Sequence, residues 1–210
     1  MPAYFNMSLQ FLRDDIYGMF VSDFYSVLDH AGLKFKSGYW GFEEECYADI
    51  IEWNQKKLEQ NFHLGYTQHY KHDYKQVLYD FDGFLSVRGF WMNNYPEDNT
   101  FSYEIIIPED EVLCSEYPAR FKKEKMIHLL EAARKIWQFP LVRTIQTGLE
   151  GNDASIGLTK LASGYSPNVQ PFAIIEGRGN CPENLDFRLE KVPGREGICY
   201  FLREGEGGIQ

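Results

Sequence analysis

His63, His69 and His72 fall within ten residues, and Asp73 follows the last of them. Three imidazoles around one open coordination position are a common way to hold a catalytic zinc. The spacing works against that reading here. Residues three apart share a helix face but residues six apart do not, and Asn61 and Gly65 break up any single helix through the segment. Histidines in a polar connector ordinarily stay solvated and titrate near neutrality. No metal is therefore expected at His63, His69 or His72, and no cofactor elsewhere in the chain.

Other patterns that could carry chemistry fail in detail. In residues 148–160, five residues separate Gly151 from Gly157, and Leu158 and Thr159 follow. A phosphate loop needs four there, then a lysine beside the final glycine to reach the phosphates. Gly177, Arg178 and Gly179 lead into Cys181 and Pro182 rather than into a helix. Asp80 and Asp82 share a strand face and could do acid–base work, but Asp82 precedes Gly83, so a turn accounts for it. Ser155 and Cys199 have no base nearby in sequence, and the G-x-S-x-G nucleophile elbow is absent. No catalytic residue is expected.

What survives looks like recognition. Tyr39, Trp40, Glu43 and Glu44 combine rings with carboxylates in one short stretch, and Tyr95, Glu97 and Asp98 do so again on a long polar connection. Rigid rings give large contact area at low entropic cost, while carboxylates steer a basic partner. Charge is also segregated. Residues 91–117 hold seven acids, Glu109, Asp110 and Glu111 among them, and no Lys or Arg. Residues 118–142 reverse this, with Arg120, Lys122, Lys123, Lys125, Arg134 and Lys135 against Glu124 and Glu131. These ten aromatic and acidic positions are the expected partner-binding residues.

Composition narrows the partner. A formal net charge of −10 repels a phosphate backbone and an anionic membrane, so neither nucleic acid nor membrane is expected. The N-terminus lacks a basic start and an apolar run, which suggests a cytoplasmic protein. Four scattered cysteines without a C-x-x-C pair suggest reduced thiols. A 44% hydrophobic share with 25% charged residues suits a folded chain, and most of the 16% aromatic residues belong in a core.

The elements that must position these residues follow from periodicity. Ser8 can cap a helix with Leu9, Leu12, Ile16, Met19, Phe20, Phe24 and Leu28 on one stripe, stopped by Gly32. A loop over residues 36–41 then leads to a helix over about 42–61, with Glu43, Glu44 and Glu45 in its first turn. Val77, Tyr79 and Phe81, then Leu85, Val87 and Trp91, then Phe101, Tyr103, Ile105 and Ile107 read as an antiparallel meander. Pro118 starts an amphipathic helix with Met126, Leu129, Leu130, Ala133, Ile136 and Trp137 inward. A strand over 142–147 follows, then a short helix capped by Asn152 or Asp153 and ended by Gly164. Strands over 172–175, 185–190 and 198–203 complete the chain, the last two as a hairpin.

The expected fold is α+β, a mostly antiparallel mixed sheet with helices packed on one face and a helical N-terminal region. A single domain spans 1–210, helical over 1–75 and sheet-containing over 76–205. The expected function is a non-enzymatic, acidic cytosolic binding protein that masks a basic protein partner, in the manner of a bacterial toxin-immunity or inhibitor protein. The alternative is an α+β enzyme or small-ligand domain with its pocket between the sheet and the N-terminal helices.

Overall fold

A computed structural model describes residues 3–63, 72–93, 98–116, 119–150, 155–177 and 187–202. The N-terminal segment departs most from the sequence reading. Tyr4–Leu12 is a strand, β1, and Ser8 lies in its middle rather than at a helix cap. Phe5, Met7, Leu9 and Phe11 alternate into the main apolar cluster, so Asn6, Ser8 and Gln10 project from the other face. Leu9, Leu12, Ile16 and Met19 do satisfy helical spacing. The same stretch satisfies a period of two, and pairing on both sides of β1 decides in favour of the strand.

The first helix, α1, therefore begins only at Phe20 and runs over Phe20–Ala31. Gly32 ends it in the left-handed region at φ 106°, the conformation that favours glycine at this position. Met19, expected on its buried stripe, is exposed. Lys34–Tyr39 forms a strand, β2, where a loop was expected, and Tyr47–Glu59 forms α2, shorter at both ends than the sequence suggests. The N-terminal region is thus strand–helix–strand–helix rather than helical.

The expected meander is present as β3 (Gln76–Asp80), β4 (Val87–Met92) and β5 (Thr100–Pro108). A short helix α3 (Glu109–Val112) and a small hairpin, β6 (Leu113–Glu116) with β7 (Ala119–Phe121), lead to α4 (Lys123–Ile136). This helix starts well after Pro118, which lies outside the described residues. The chain closes with β8 (Thr144–Leu149), α5 (Leu158–Ala162), β9 (Phe172–Ile175), β10 (Phe187–Lys191) and β11 (Ile198–Leu202). Asn152 and Asp153, expected to cap α5, and Leu185, expected in β10, lie outside the described residues.

Nine strands form one sheet in the order β10-β11-β9-β8-β1-β5-β4-β3-β2. Every neighbouring pair of strands is antiparallel. β1 sits near the centre, with Ser8 opposite Glu104 of β5 on one side and opposite Gln146 of β8 on the other. The protein is an α+β fold built on a large antiparallel sheet.

Aromatic rings fill the space between sheet and α1. Phe24 makes edge-on contacts with Phe11 and Tyr103 and a tilted contact with Trp91, at 5.2–5.3 Å between ring centroids. Phe20 adds contacts to Phe11, Trp91 and Phe101. Met126, Leu129, Ala133, Ile136 and Trp137 bury α4 in the same cluster, while Leu130 is only partly buried. Gln146 donates from Nε2 to the Ile156 carbonyl and accepts from the Ile156 N–H, fastening the chain ahead of α5 to β8. α5 itself buries no residue, so its packing on either face of the sheet is not established. No helix among the described residues is long and apolar enough to cross a membrane.

Candidate functional site

The expected partner-binding residues separate into groups with different roles. Tyr39, Trp40, Glu43 and Glu44 lie together at the end of β2. Tyr95 and Glu97 lie outside the described residues, while Asp98 is exposed just before β5. Glu109, Asp110 and Glu111 form α3 at the opposite end of β5. Two of these three carboxylates are structural. Glu111 accepts the N–H groups of Leu85 and Ser86, and Glu109 accepts that of Glu150. The Asp110 carbonyl takes the Lys122 ammonium, so the basic helix is tied to the acidic turn. His63 and His72 are exposed, His69 lies outside the described residues, and those residues contain no group of three metal-ligating side chains.

The turn after β2 is built to present one ring. A side chain on Gly38 would overlap the Phe42 carbonyl, so only glycine lets the chain fold back there. Phe42 then anchors the turn in the interior. Glu45 is drawn into an ion pair with the buried Lys75, whose ammonium lies 4.6 Å from the Trp53 ring centroid. Glu43 turns back to accept the Gly41 N–H at 3.1 Å, and such backbone hydrogen bonds hold its carboxyl below the usual range. Trp40 stands at the apex, 60% exposed. Its φ of 58° places a bulky residue in the left-handed region. Tyr39 beside it is half-buried and lies 4.6 Å over the Arg88 guanidinium, which Tyr4 covers at 4.7 Å. Tyr39 thus braces the turn from the sheet.

A second constellation, absent from the sequence reading, lies on the polar face of the central strands. Glu104 is buried. Its Oε1 accepts from Ser8 Oγ at 2.9 Å and Ser102 Oγ at 2.5 Å, and its Oε2 accepts from Asn6 Nδ2 at 2.8 Å. Ser8 Oγ also lies 3.3 Å from Ser155 Oγ, which accepts from Gln10 Nε2 at 3.2 Å. The Ser8 proton goes to the carboxylate, so Ser155 donates to Ser8 and the chain of hydroxyls is polarised toward Glu104. Ser155, which has no partner nearby in sequence, finds two across the sheet. No family model matches the chain, and no curated protein does.

Burial raises the Glu104 pKa, and hydrogen bonds from Ser102, Asn6 and Ser8 oppose the rise only in part. A raised folded-state value means that stability is fully present below the unfolded carboxylate pKa, about 4.3, and is lost as pH climbs through the folded value. Glu104→Gln removes the charge, and with the Asn6 amide turned over its oxygen accepts one new N–H, leaving the Asn6 N–H unpaired in place of its oxygen. The variant should therefore be more stable than the parent at neutral pH, with the gap closing near pH 4. Denaturant melts at the two pH values read the effect. A parent more stable than the variant at pH 7 would contradict it.

Proposed function

We propose that the protein is a non-enzymatic binding protein that masks a basic protein partner, docked on the turn that carries Trp40. The observation behind this reading is Trp40 itself. Left-handed backbone costs a bulky residue on the order of 1–3 kcal/mol, and an indole 60% exposed lies mostly outside the core. Glycine would serve the turn at lower cost. A strained, outward ring on a braced turn suits an interface anchor, since tryptophan is over-represented among residues that dominate binding energy.

The surroundings support the same class of partner. Glu43 and Glu44 are exposed beside the indole, and the whole chain carries a net charge of −10. Long-range attraction of this kind speeds encounter and is screened over about 8 Å at physiological salt. An inhibitor of the toxin-immunity type is the sharpest form of the proposal.

Affinity capture with the immobilised protein tests it. A basic protein should be retained, its association should slow as salt rises, and Trp40→Ala should weaken binding by at least 2 kcal/mol, about 30-fold. Trp40→Gly should weaken it equally while leaving the melting temperature unchanged or higher. Salt-independent association, or full affinity in both variants, would remove the reading.

A further inference from the structure

We propose that the polar floor around Glu104 is a binding site for a primary ammonium group, carried by a small amine or by a lysine side chain. The three central strands β1, β4 and β5 build the floor: Glu104 stands opposite Ser8 in β1 and Phe90 in β4. Every donor to its carboxylate is neutral. Among the described residues no Lys or Arg pairs with it, and Arg88, on the same face, is held between Tyr4 and Tyr39. A buried carboxylate without a counter-charge is expensive to keep ionised.

Two oxygens show that the network is not self-contained. Gln10 is only 8% exposed, and its Oε1 is buried with no hydrogen-bond partner among the described residues. The same holds for Asn6 Oδ1. The nitrogen of each amide already donates into the cluster, to Ser155 and to Glu104 respectively. Within a carboxamide the two heteroatoms are about 2.3 Å apart by covalent geometry, so Asn6 Oδ1 lies beside the Glu104 carboxylate and Gln10 Oε1 beside the Ser155 hydroxyl. Turning either amide over exchanges a stranded oxygen for a stranded N–H, and for Asn6 sets oxygen against the carboxylate. A stranded buried acceptor costs about 1–3 kcal/mol.

The floor therefore holds one anionic and two unsatisfied neutral acceptors, and among the described residues none of its donors is charged. A primary ammonium supplies three N–H donors, one positive charge and no acceptor. A divalent cation asks for more carboxylates, and an anion would meet Glu104. Asn6, Ser102 and Ser155 are each partly exposed, which opens the rim to solvent. The upward pull of burial on Glu104 would be reversed by a bound ammonium. None of this depends on Trp40, and Trp40→Ala should leave it intact.

The test titrates the intact protein with methylammonium chloride at constant ionic strength, followed by melting temperature and by the side-chain amide resonances of Asn6 and Gln10. Saturable stabilisation is expected, with both amides shifting. Tetramethylammonium, equally charged but without N–H, and sodium should produce neither. Glu104→Gln should lower affinity at least about tenfold, and Gln10→Met provides a second variant that leaves the carboxylate in place. Nα-acetyl-lysinamide separates the sources: binding as tight as methylammonium assigns the site to a lysine side chain, and binding of methylammonium alone assigns it to a small amine. An unsaturable response, an equal response to tetramethylammonium or sodium, or undiminished affinity in both variants would overturn the proposal.

Discussion

Phe24→Ala will lower the stability of this protein by on the order of 3–5 kcal/mol, the cost of a large cavity at a fully buried ring. Phe24 has no exposed surface, and six aromatic neighbours surround it: Phe11, Phe20, Tyr25, Trp91, Tyr103 and Phe139. Those rings belong to α1, to strands β1, β4 and β5 and to the segment after α4, so none can close the void without dragging an element with it. In a chain of this size the melting temperature should fall by roughly 10 °C. Ser26→Ala, two residues away on the exposed side of the same helix, should stay within about 0.5 kcal/mol. Urea denaturation of both variants makes the comparison. A similar small loss in each would mean that α1 does not bury the face described.

Arg195→Met should cost about 3 kcal/mol, and by a different route. The Arg195 Nη1 lies 2.8–3.0 Å from the carbonyls of Trp137, Phe139 and Val142, which belong to the turn between α4 and β8. Its Nη2 donates to Glu176 at 3.0 Å, and the guanidinium lies 4.3 Å over the Trp137 ring. Methionine keeps much of the stacking volume while removing a donor from three carbonyls and from Glu176, although Glu176 keeps Arg143 and the Phe139 carbonyl keeps the Val142 N–H. Hydrogen bonds to charged groups contribute about 1.5–3 kcal/mol each, but this side chain is 16% exposed, so water recovers part of the loss. Arg195→Lys should not rescue, because a single ammonium cannot span the fork or stack in the same way. Denaturation gives the total, and hydrogen exchange of residues 137–144 should show the turn opening first. Full stability in the lysine variant would reduce Arg195 to a point charge.

Local patterns were legible in the sequence and distant ones were not. The β3–β5 meander and the β10–β11 hairpin join neighbours in the chain, so alternation and turn residues were enough to find them. The buried face of α4 was right except at Leu130, which is only partly buried, and Ala132, which is buried and was not expected to be. β1 was missed because its apolar residues satisfy both helical and strand periods, and the partners that decide between them lie far along the chain. The Glu104 cluster was hidden for the same reason. Its members Ser8, Glu104 and Ser155 carry no mutual spacing, and only strand register brings them together. The turn at Trp40 was visible in composition, as rings beside carboxylates. Its left-handed backbone was not, since nothing in the sequence marks a tryptophan for a conformation that glycine prefers.

The placement of β1 has a further consequence for how the chain is made. β1 precedes both of its sheet partners in the chain, so Phe5 must wait for Ile107 on one side and for Leu149 on the other. At about 5–20 residues per second of translation, the second edge of β1 stays unpaired for on the order of ten seconds after the strand is made. During that time its apolar residues Phe5, Met7, Leu9 and Phe11 are available to any other unpaired strand. Sheets closed by such distant pairings fold slowly. A nascent chain halted before β8 would carry a raw central edge, and ribosome-bound chaperones would be needed most between the completion of β1 and the emergence of residue 149.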